Sequence, residues 1–496
     1  MNVLAFDLGA SSGRGILACF DGKKITLEEI HRFPHNFSMM NGHAYWNILS
    51  LMDEMKEGMR LCKEPLAGVG FDTWGVDCGI LDAEGNLLGI PGSYRDPALD
   101  DANMEKVLKR LAPEGTAEEK KAAAGEKYAF EQTGIASLAY NTLYKLCYMK
   151  EQMPTQMEAA ETVLLMPNLI EYLFSGVKHS EYSIASTTQL FNMKEKCWSA
   201  ELMKKAGLNP SLFPAVDYAG RDLGTLRPEI AEEVGQENLH IISISGHDTA
   251  CAAAAVPAAE EEFTFLSSGT WSLLGISSQT MLAGEDVIES KISNEGTWDG
   301  GYRPTVNIIG LWMFQEIRRN FQKAGKDYSF VELTDLAAKE PPLRSFIRPD
   351  DFMQPGDYPT KIREYCKKTG QPVPESDGAL VRCILESLAM KYRQVYQSLR
   401  PFVTWEEKIY IVGGGVQNDL LNQFTANALG IPVITGASEA TAVGNVMEQL
   451  QALGAYQTRE EKCRILAASF ETKEIMPQDR LEWDEGYLRF SSLYEI

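Results

Sequence analysis

Asp248 follows Gly246-His247 at the end of a short β-branched run, Ile241 to Ser245, and opens the alanine-rich stretch Ala250 to Val256. A carboxylate in that position can cap the helix, a task Thr249 could perform almost as well. It can also accept a proton from a substrate hydroxyl, because the small residues behind it leave room beside the carboxylate. Phosphoryl transfer asks only for a base of ordinary carboxylate strength, since its transition state is loose and the hydroxyl proton leaves late. A phosphate cradle for such chemistry is offered by Asp7-Leu8-Gly9-Ala10-Ser11-Ser12-Gly13-Arg14. Small residues let backbone N–H groups approach phosphate oxygens, Ser11 and Ser12 add hydroxyls, and Arg14 brings a planar cation. Asp7, at the end of an apolar strand, can hold magnesium through water. The plain alternative is a β-turn with solvated polar residues. What weighs against that alternative is a second strand, small polar loop and strand, Phe265-Leu266-Ser267-Ser268-Gly269-Thr270-Trp271-Ser272, which matches Ala5 to Ser12 in pattern. One such unit opens each half of the chain, as an internal repeat would.

Other segments are informative in context. Val412-Gly413-Gly414-Gly415-Val416-Gln417-Asn418 stands between a strand and a helix. Its glycines remove the β-carbons from one face, suiting close approach of a base or ribose, or simply a tight turn. Phe71-Asp72-Thr73-Trp74-Gly75-Val76-Asp77 mixes acids, an indole and glycine at a strand end. Carboxylates accept from sugar hydroxyls while an aromatic face covers the C–H surface, so Asp72, Trp74 and Asp77 are candidate sugar contacts; a strand with a satisfied Trp74 is the alternative. Asn294-Glu295-Gly296 and Asn307 add similar polar groups. Gly13-Arg14-Gly15-Ile16-Leu17-Ala18 satisfies a dinucleotide fingerprint in letters only. The residues after it are apolar and turn back at Asp21-Gly22, where that fingerprint needs a helix. No G-x-x-x-x-G-K-[ST] loop occurs. His31 and His35 have zinc-like spacing, but Pro34 breaks the helix that would align them.

The elements that must position these residues read as α/β. Strands are expected over Val3 to Leu8 and Ile16 to Phe20, with Gly9 to Gly13 as loop, then over Ile25 to Phe33 and Gly68 to Ile80. Residues 101 to 240 read mainly helical, and Asp377 to Leu399 has apolar residues at helical spacing. With 496 residues, two or three domains are expected, and the favoured boundary divides 1–243 from 244–496. The net charge of −22 argues against nucleic acid as a partner. No segment reads as a membrane span or a signal peptide. Nine cysteines without a C-x-x-C pair fit reduced thiols and a cytoplasmic protein. Cys366 and Cys383 flank a turn and pack or pair.

These segments, with Ile30-His31-Arg32-Phe33, Ser93-Tyr94-Arg95-Asp96, Asn141-Thr142-Leu143-Tyr144 and Thr187-Thr188-Gln189-Leu190, resemble the sugar-kinase family that includes glycerol kinase and xylulokinase. The resemblance covers nearly the whole chain. It implies two actin-like (ribonuclease H-like) domains with an ATP and sugar cleft between them, the catalytic Asp and second phosphate loop lying in the C-terminal one. It implies Ala10, Ser11, Ser12, Gly13, Arg14, Thr270, Gln315 and Gly414 on the ATP side. Gly75, His247, Asp248, Thr249 and Asn307 resemble the sugar-contacting set, with Asp248 as proton acceptor and Mg2+ accompanying ATP. Ala10 departs from the family's usual threonine, and Thr73-Trp74-Gly75-Val76-Asp77 replaces its Q-x-H-G motif. Those departures turn the expected acceptor from glycerol or xylulose toward O1 of L-rhamnulose, in L-rhamnose catabolism. L-fuculose, or a non-catalytic actin-like ATP-binding module, are the alternatives. A monomer and a homodimer fit equally.

Overall fold

The structure, a computed structural model, describes residues 1–9 and 12–494. It divides into two compact units, the first made of 1–255, 278–304 and 441–469, the second of 256–277, 305–440 and 470–496.

In the first unit, β1 (Asn2–Leu8) pairs antiparallel with β2 (Ser12–Phe20), which pairs antiparallel with β3 (Ile25–Pro34). On its other side β1 lies parallel to β4 (Gly68–Thr73), and the sheet ends with β6 (His240–Ser243) and β5 (Arg221–Thr225), in the order β5-β6-β4-β1-β2-β3. Val3, Leu4, Ala5 and Phe6 have no exposure. That is why β1 reads as an unbroken apolar run: both faces of a central strand with a parallel neighbour are covered. Helix α1 (Ile48–Leu61) starts where Asn47 accepts the Ser50 N–H at 3.2 Å. The rings of Phe6 and Phe71 stack 5.6 Å apart, and Phe71 lies 5.3 Å from Phe174 of α2 (Met166–Ser175), tying two strands to a helix.

The second sheet repeats this plan. Here β7 (Phe263–Ser268) and β8 (Trp271–Ser277) form an antiparallel hairpin, followed by β9 (Ser293–Gly296) and β10 (Tyr302–Ile309). Parallel to β7 runs β11 (Ile409–Val412), then β12 (Val433–Thr435), with β13 (Glu474–Ile475) at the edge. The order is β9-β10-β8-β7-β11-β12-β13. Each sheet thus sets an antiparallel meander beside parallel strands, and the two repeated segments occupy equivalent first hairpins, the duplication expected of an actin-like fold. Helix α5 (Asp377–Leu399) spans the expected residues, capped where Ser376 accepts the Ala379 N–H at 3.0 Å.

Three local expectations are revised. β2 begins at Ser12, so Ser12 and Gly13 are strand residues and not loop. The stretch Gly68 to Ile80 is two strands, interrupted at 74–77 and resuming at Cys78–Leu81. The division by contacts falls elsewhere than between 243 and 244: Asp248 and its helix stay with the first unit. The reason is local, since the Thr73 N–H donates to Gly246 O at 2.9 Å and Thr73 bridges to His247, stitching the segment after β6 to the end of β4. No disulfide joins the cysteines among the described residues, and Cys366 and Cys383 stand side by side. Among the described residues no helix is long and apolar enough to cross a membrane.

Candidate functional site

The segment carrying Asp248 is held residue by residue. The Ser245 N–H donates to Glu448 Oε2 at 2.5 Å, Gly246 N–H to Glu181 Oε2 at 3.0 Å, and His247 N–H to Ser183 Oγ at 3.3 Å. Glu181 also accepts the N–H groups of Ser183 and Ile184 at 2.8 and 3.0 Å. Gly246 is required by close approach, because a β-carbon there would stand 2.7 Å from Pro167. Helix α3 (Asp248–Ala254) begins directly afterwards, and its cap position is His247, with no side chain capping it. The capping explanation of Asp248 therefore falls away. Its Oδ1 accepts from Thr249 Oγ1 at 3.0 Å and lies 3.4 Å from His247 Nε2, and its side chain keeps 31% exposure. Burial of its surroundings pushes the carboxyl above the usual range and the Asp7 charge adds to this, while His247 opposes it. Asp248 is thus a stronger base than the ordinary carboxylate expected.

Two groups not singled out from the sequence complete this corner. His247 Nδ1 is 3.0 Å from Arg303 Nη2 and 3.2 Å from Glu295 Oε2, and Arg303 and Glu295 form an ion pair. Arg303 has no exposure. Glu295 was noted only as one polar residue in a run. Arg303, set in a strand with apolar neighbours, gives no signal of partnership, because the strand's fold-back is what brings it to His247. Asn294, by contrast, is structural: it accepts from the Leu282 N–H at 2.7 Å and donates to Gly134 O and Leu282 O at 2.8 and 3.0 Å.

Asp7 and Arg14 face each other across β1 and β2 and form an ion pair. Asp72 is the neighbour of Asp7 on β4. Its Oδ2 accepts from Asn445 Nδ2 at 2.7 Å, while its fully buried Oδ1 has no protein partner. Burial and then the Asp7 charge push the Asp72 carboxyl well above the usual range. Without exposed surface, Asp72 does not serve as a direct sugar contact. Asp7 supplies a hard carboxylate oxygen of the kind magnesium prefers, while buried Asp72 offers it no surface; no cluster of three metal-ligating side chains occurs among the described residues. A single carboxylate such as Asp7 fits an ion that keeps most of its water and takes its other oxygens from substrate phosphate.

Asp77 and Trp74 also belong to the core. Asp77 Oδ2 accepts from Trp46 Nε1 at 2.5 Å, Trp74 Nε1 at 2.8 Å and Tyr94 N–H at 3.1 Å, and its Oδ1 pairs with Lys145. Nothing is left to accept from a sugar. The Trp74 ring lies 4.1 Å from Trp46 and 5.2 Å from His35, so no face is open. Gly75 is different, being the one residue of 71–80 that is not buried. The Val76 N–H donates to Thr187 Oγ1 at 3.0 Å, and Val76 is held at φ +67°, a conformation costly for a β-branched residue. That turn keeps the Gly75 backbone accessible.

The second unit gathers the remaining phosphate and adenosine candidates. Thr270 is exposed at the tip of the β7–β8 hairpin and its Oγ1 accepts from Gln315 Nε2 at 3.1 Å. Gln315 stands on α4 (Trp312–Lys323), which follows β10. Gly413 has φ +88°, and a β-carbon there would lie 2.8 Å from Ser268 O; Gly415 would collide with Ser268 Oγ, whereas Gly414 faces open space. Thr270, Gln315 and Gly414 thus converge around the same hairpin. Asn307 is exposed on β10 beside Leu273, in the second unit. Ser12, Gly13 and Arg14 lie in the first unit, and Ala10 and Ser11 lie outside the described residues.

A rhamnulokinase of Bacteroides thetaiotaomicron is 41% identical, covering 99% of both chains, and one of Halalkalibacterium halodurans is 36% identical over 96% of this chain and 99% of its own. The fold is similar to ligand-bound xylulose kinase of Lactobacillus acidophilus, with a TM-score of 0.79 at 15% identity, covering 100% of this chain and 98% of that one. Plasmodium falciparum glycerol kinase with ADP gives a TM-score of 0.77 at 14% identity, covering 100% and 97%. Residues 2–255 match the N-terminal domain and 264–453 the C-terminal domain of the FGGY family of carbohydrate kinases, and the chain belongs to that family.

Proposed function

We propose that this chain transfers the γ-phosphoryl group of ATP to O1 of L-rhamnulose, giving L-rhamnulose 1-phosphate and ADP. The observation that carries the reading is Asp248: a partly exposed carboxylate with raised basicity, committed to no cap, on a segment tied down at three successive amides. Rhamnulokinases similar over nearly the full length supply the acceptor.

In this reading Asp248 accepts the O1 proton as the O1–phosphorus bond forms and the bond from phosphorus to the β-phosphate bridging oxygen breaks. Thr249 and His247 orient the carboxylate and meet sugar hydroxyls, while the Gly75 backbone and Asn307 contribute further sugar contacts. Thr270 and Gln315 hold the phosphate side, Gly414 admits the adenosine, and Ser12 and Arg14 serve the first hairpin together with Ala10 and Ser11. Magnesium, held by Asp7 through water, would neutralise charge on the phosphates. Asp72, Trp74 and Asp77 act as scaffold. ATP use and free thiols fit a cytoplasmic enzyme, monomeric or homodimeric.

An ADP-release assay across L-rhamnulose, L-fuculose, D-xylulose, L-ribulose and glycerol tests the substrate. A clear preference for L-rhamnulose is expected; preference for another acceptor rejects that substrate and spares the kinase. A non-catalytic module would bind ATP and no sugar, which calorimetric titration distinguishes.

A further inference from the structure

The contact between Arg303 and His247 fixes which ring nitrogen of His247 carries the hydrogen. A guanidinium nitrogen has hydrogens and no lone pair to offer, so a ring nitrogen hydrogen-bonded to it must be the acceptor. Arg303 Nη2 stands 3.0 Å from His247 Nδ1 and also pairs with Glu295 Oε2, one hydrogen being available for each. Where the ring carries a single hydrogen, that hydrogen then belongs on Nε2, the nitrogen 3.4 Å from Asp248 Oδ1. The competing arrangement has Nδ1–H donating to Glu295 Oε2 at 3.2 Å. It would set that hydrogen against those of Nη2 at the shorter contact, and would turn the bare Nε2 lone pair on the Asp248 carboxylate.

We propose that Arg303 is a positioning residue that locks His247 as its Nε2–H tautomer, so that His247 presents a hydrogen-bond donor, never an acceptor, to Asp248 and to the sugar beside it. The inference rests on the kinase reading for its consequence but not for its geometry. A donor at Nε2 favours the ionised Asp248 that must receive the O1 proton, and it asks the sugar for an oxygen lone pair at that point. Packing alone does not account for Arg303. It has no exposure, and its Nε and Nη1 find no protein partner, an arrangement costly for a cation and avoidable with an apolar side chain.

The test is a long-range 1H–15N correlation spectrum of the 15N-histidine-labelled full chain, with His247 assigned by its loss in His247→Gln. The wild type is expected to show Nδ1 at the shift of an unprotonated ring nitrogen and the hydrogen on Nε2. Glu295→Gln should keep that pattern, because the Arg303 donor remains. Arg303→Met should give mixed tautomers and lower kcat/KM for the sugar about 10–100-fold, less than the ~10⁴ that a wrong tautomer costs where the histidine is itself the base. Arg303→Lys, which keeps a donor, should recover part of both. A wild-type hydrogen on Nδ1 overturns the proposal, as does a folded Arg303→Met protein with unchanged tautomer and kinetics. Should Arg303→Met fail to fold, the wild-type and Arg303→Lys spectra decide. A different preferred sugar would refute the substrate while leaving the tautomer result standing.

Discussion

Among the acids near the ends of β1, β4 and α3, Asp248 is the one with substantial exposure, and this separates it from Asp72 and Asp77. Asp248→Asn keeps the size and the oxygen that accepts from Thr249, and no cap is lost because none exists. We expect kcat to fall by roughly 10²–10⁴, sugar KM to change far less and the melting temperature to stay close to wild type. The base must be ionised, and its folded pKa is raised, so kcat/KM should fall on acidification at a higher pH than an ordinary aspartate would give. That acid limb should vanish in Asp248→Asn; a near-normal kcat in the folded variant rejects the assignment. Asp77→Asn separates scaffold from sugar contact. Removing one partner of its buried pair with Lys145 should cost about 3–5 kcal/mol, read as a large drop in melting temperature. Sugar KM in the folded remainder should hold, and the reverse pattern would return Asp77 to the sugar. Sequence pattern exposes Asp248 because small neighbours advertise space, whereas Gly75, between Trp74 and Val76, is singled out only by the family resemblance. It misreads Asp77 because three of its four donors arrive from other segments, and local spacing carries no trace of Trp46, Tyr94 or Lys145.

The elements themselves follow closely from local pattern. Asp377–Leu399 begins and ends where periodicity places it, since caps and apolar spacing are local properties. What local pattern does not reveal is which sheet a helix serves. Helix α6 (Ala440–Ala452) comes late in the chain, yet most of it lies in the first unit. There Asn445 donates to Gly70 O, Gln449 to Leu4 O, and Glu448 accepts from Ser245. Burial raises Glu448 from 4.5 to about 8. The unfolded chain releases this proton near 4.5 and the folded chain near 8, so stability falls as pH rises across that window. Lys462, nearby and equally buried, is lowered from 10.5 to about 8 and acts oppositely, adding stability from about 8 upward. Glu448→Gln keeps an acceptor for Ser245 and removes the first effect. Scanning calorimetry should find variant and wild type alike near pH 5, with the variant gaining from pH 6 to 9. Parallel curves over that range would show that Glu448 titrates normally.

At the scale of the molecule, the domain match over 2–255 and the first compact unit are not the same object. The unit also takes 278–304, which brings Glu295 and Arg303 to His247, and 441–469, which brings α6 to β1 and β4. A linear sequence favours one boundary because it records order; hydrogen bonds from Asn445 to Asp72 and from Gln449 to Leu4 O join residues hundreds of positions apart. A fragment of 1–255 therefore lacks partners for Leu4 O, Gly70 O, Asp72 Oδ2 and Ser245 N–H, all buried in the full chain. A group of this kind that stays buried without its partner costs about 1–3 kcal/mol, against the ~5–15 kcal/mol that separates folded from unfolded for a whole domain. The fragment should show no cooperative thermal transition by circular dichroism and should be digested rapidly under conditions where the full chain resists protease. Supplying 278–304 and 441–469 through designed linkers should restore a transition. A cooperative melt of 1–255 alone would mean that its own hydrophobic core outweighs those missing partners, and that the later segments join a domain already formed.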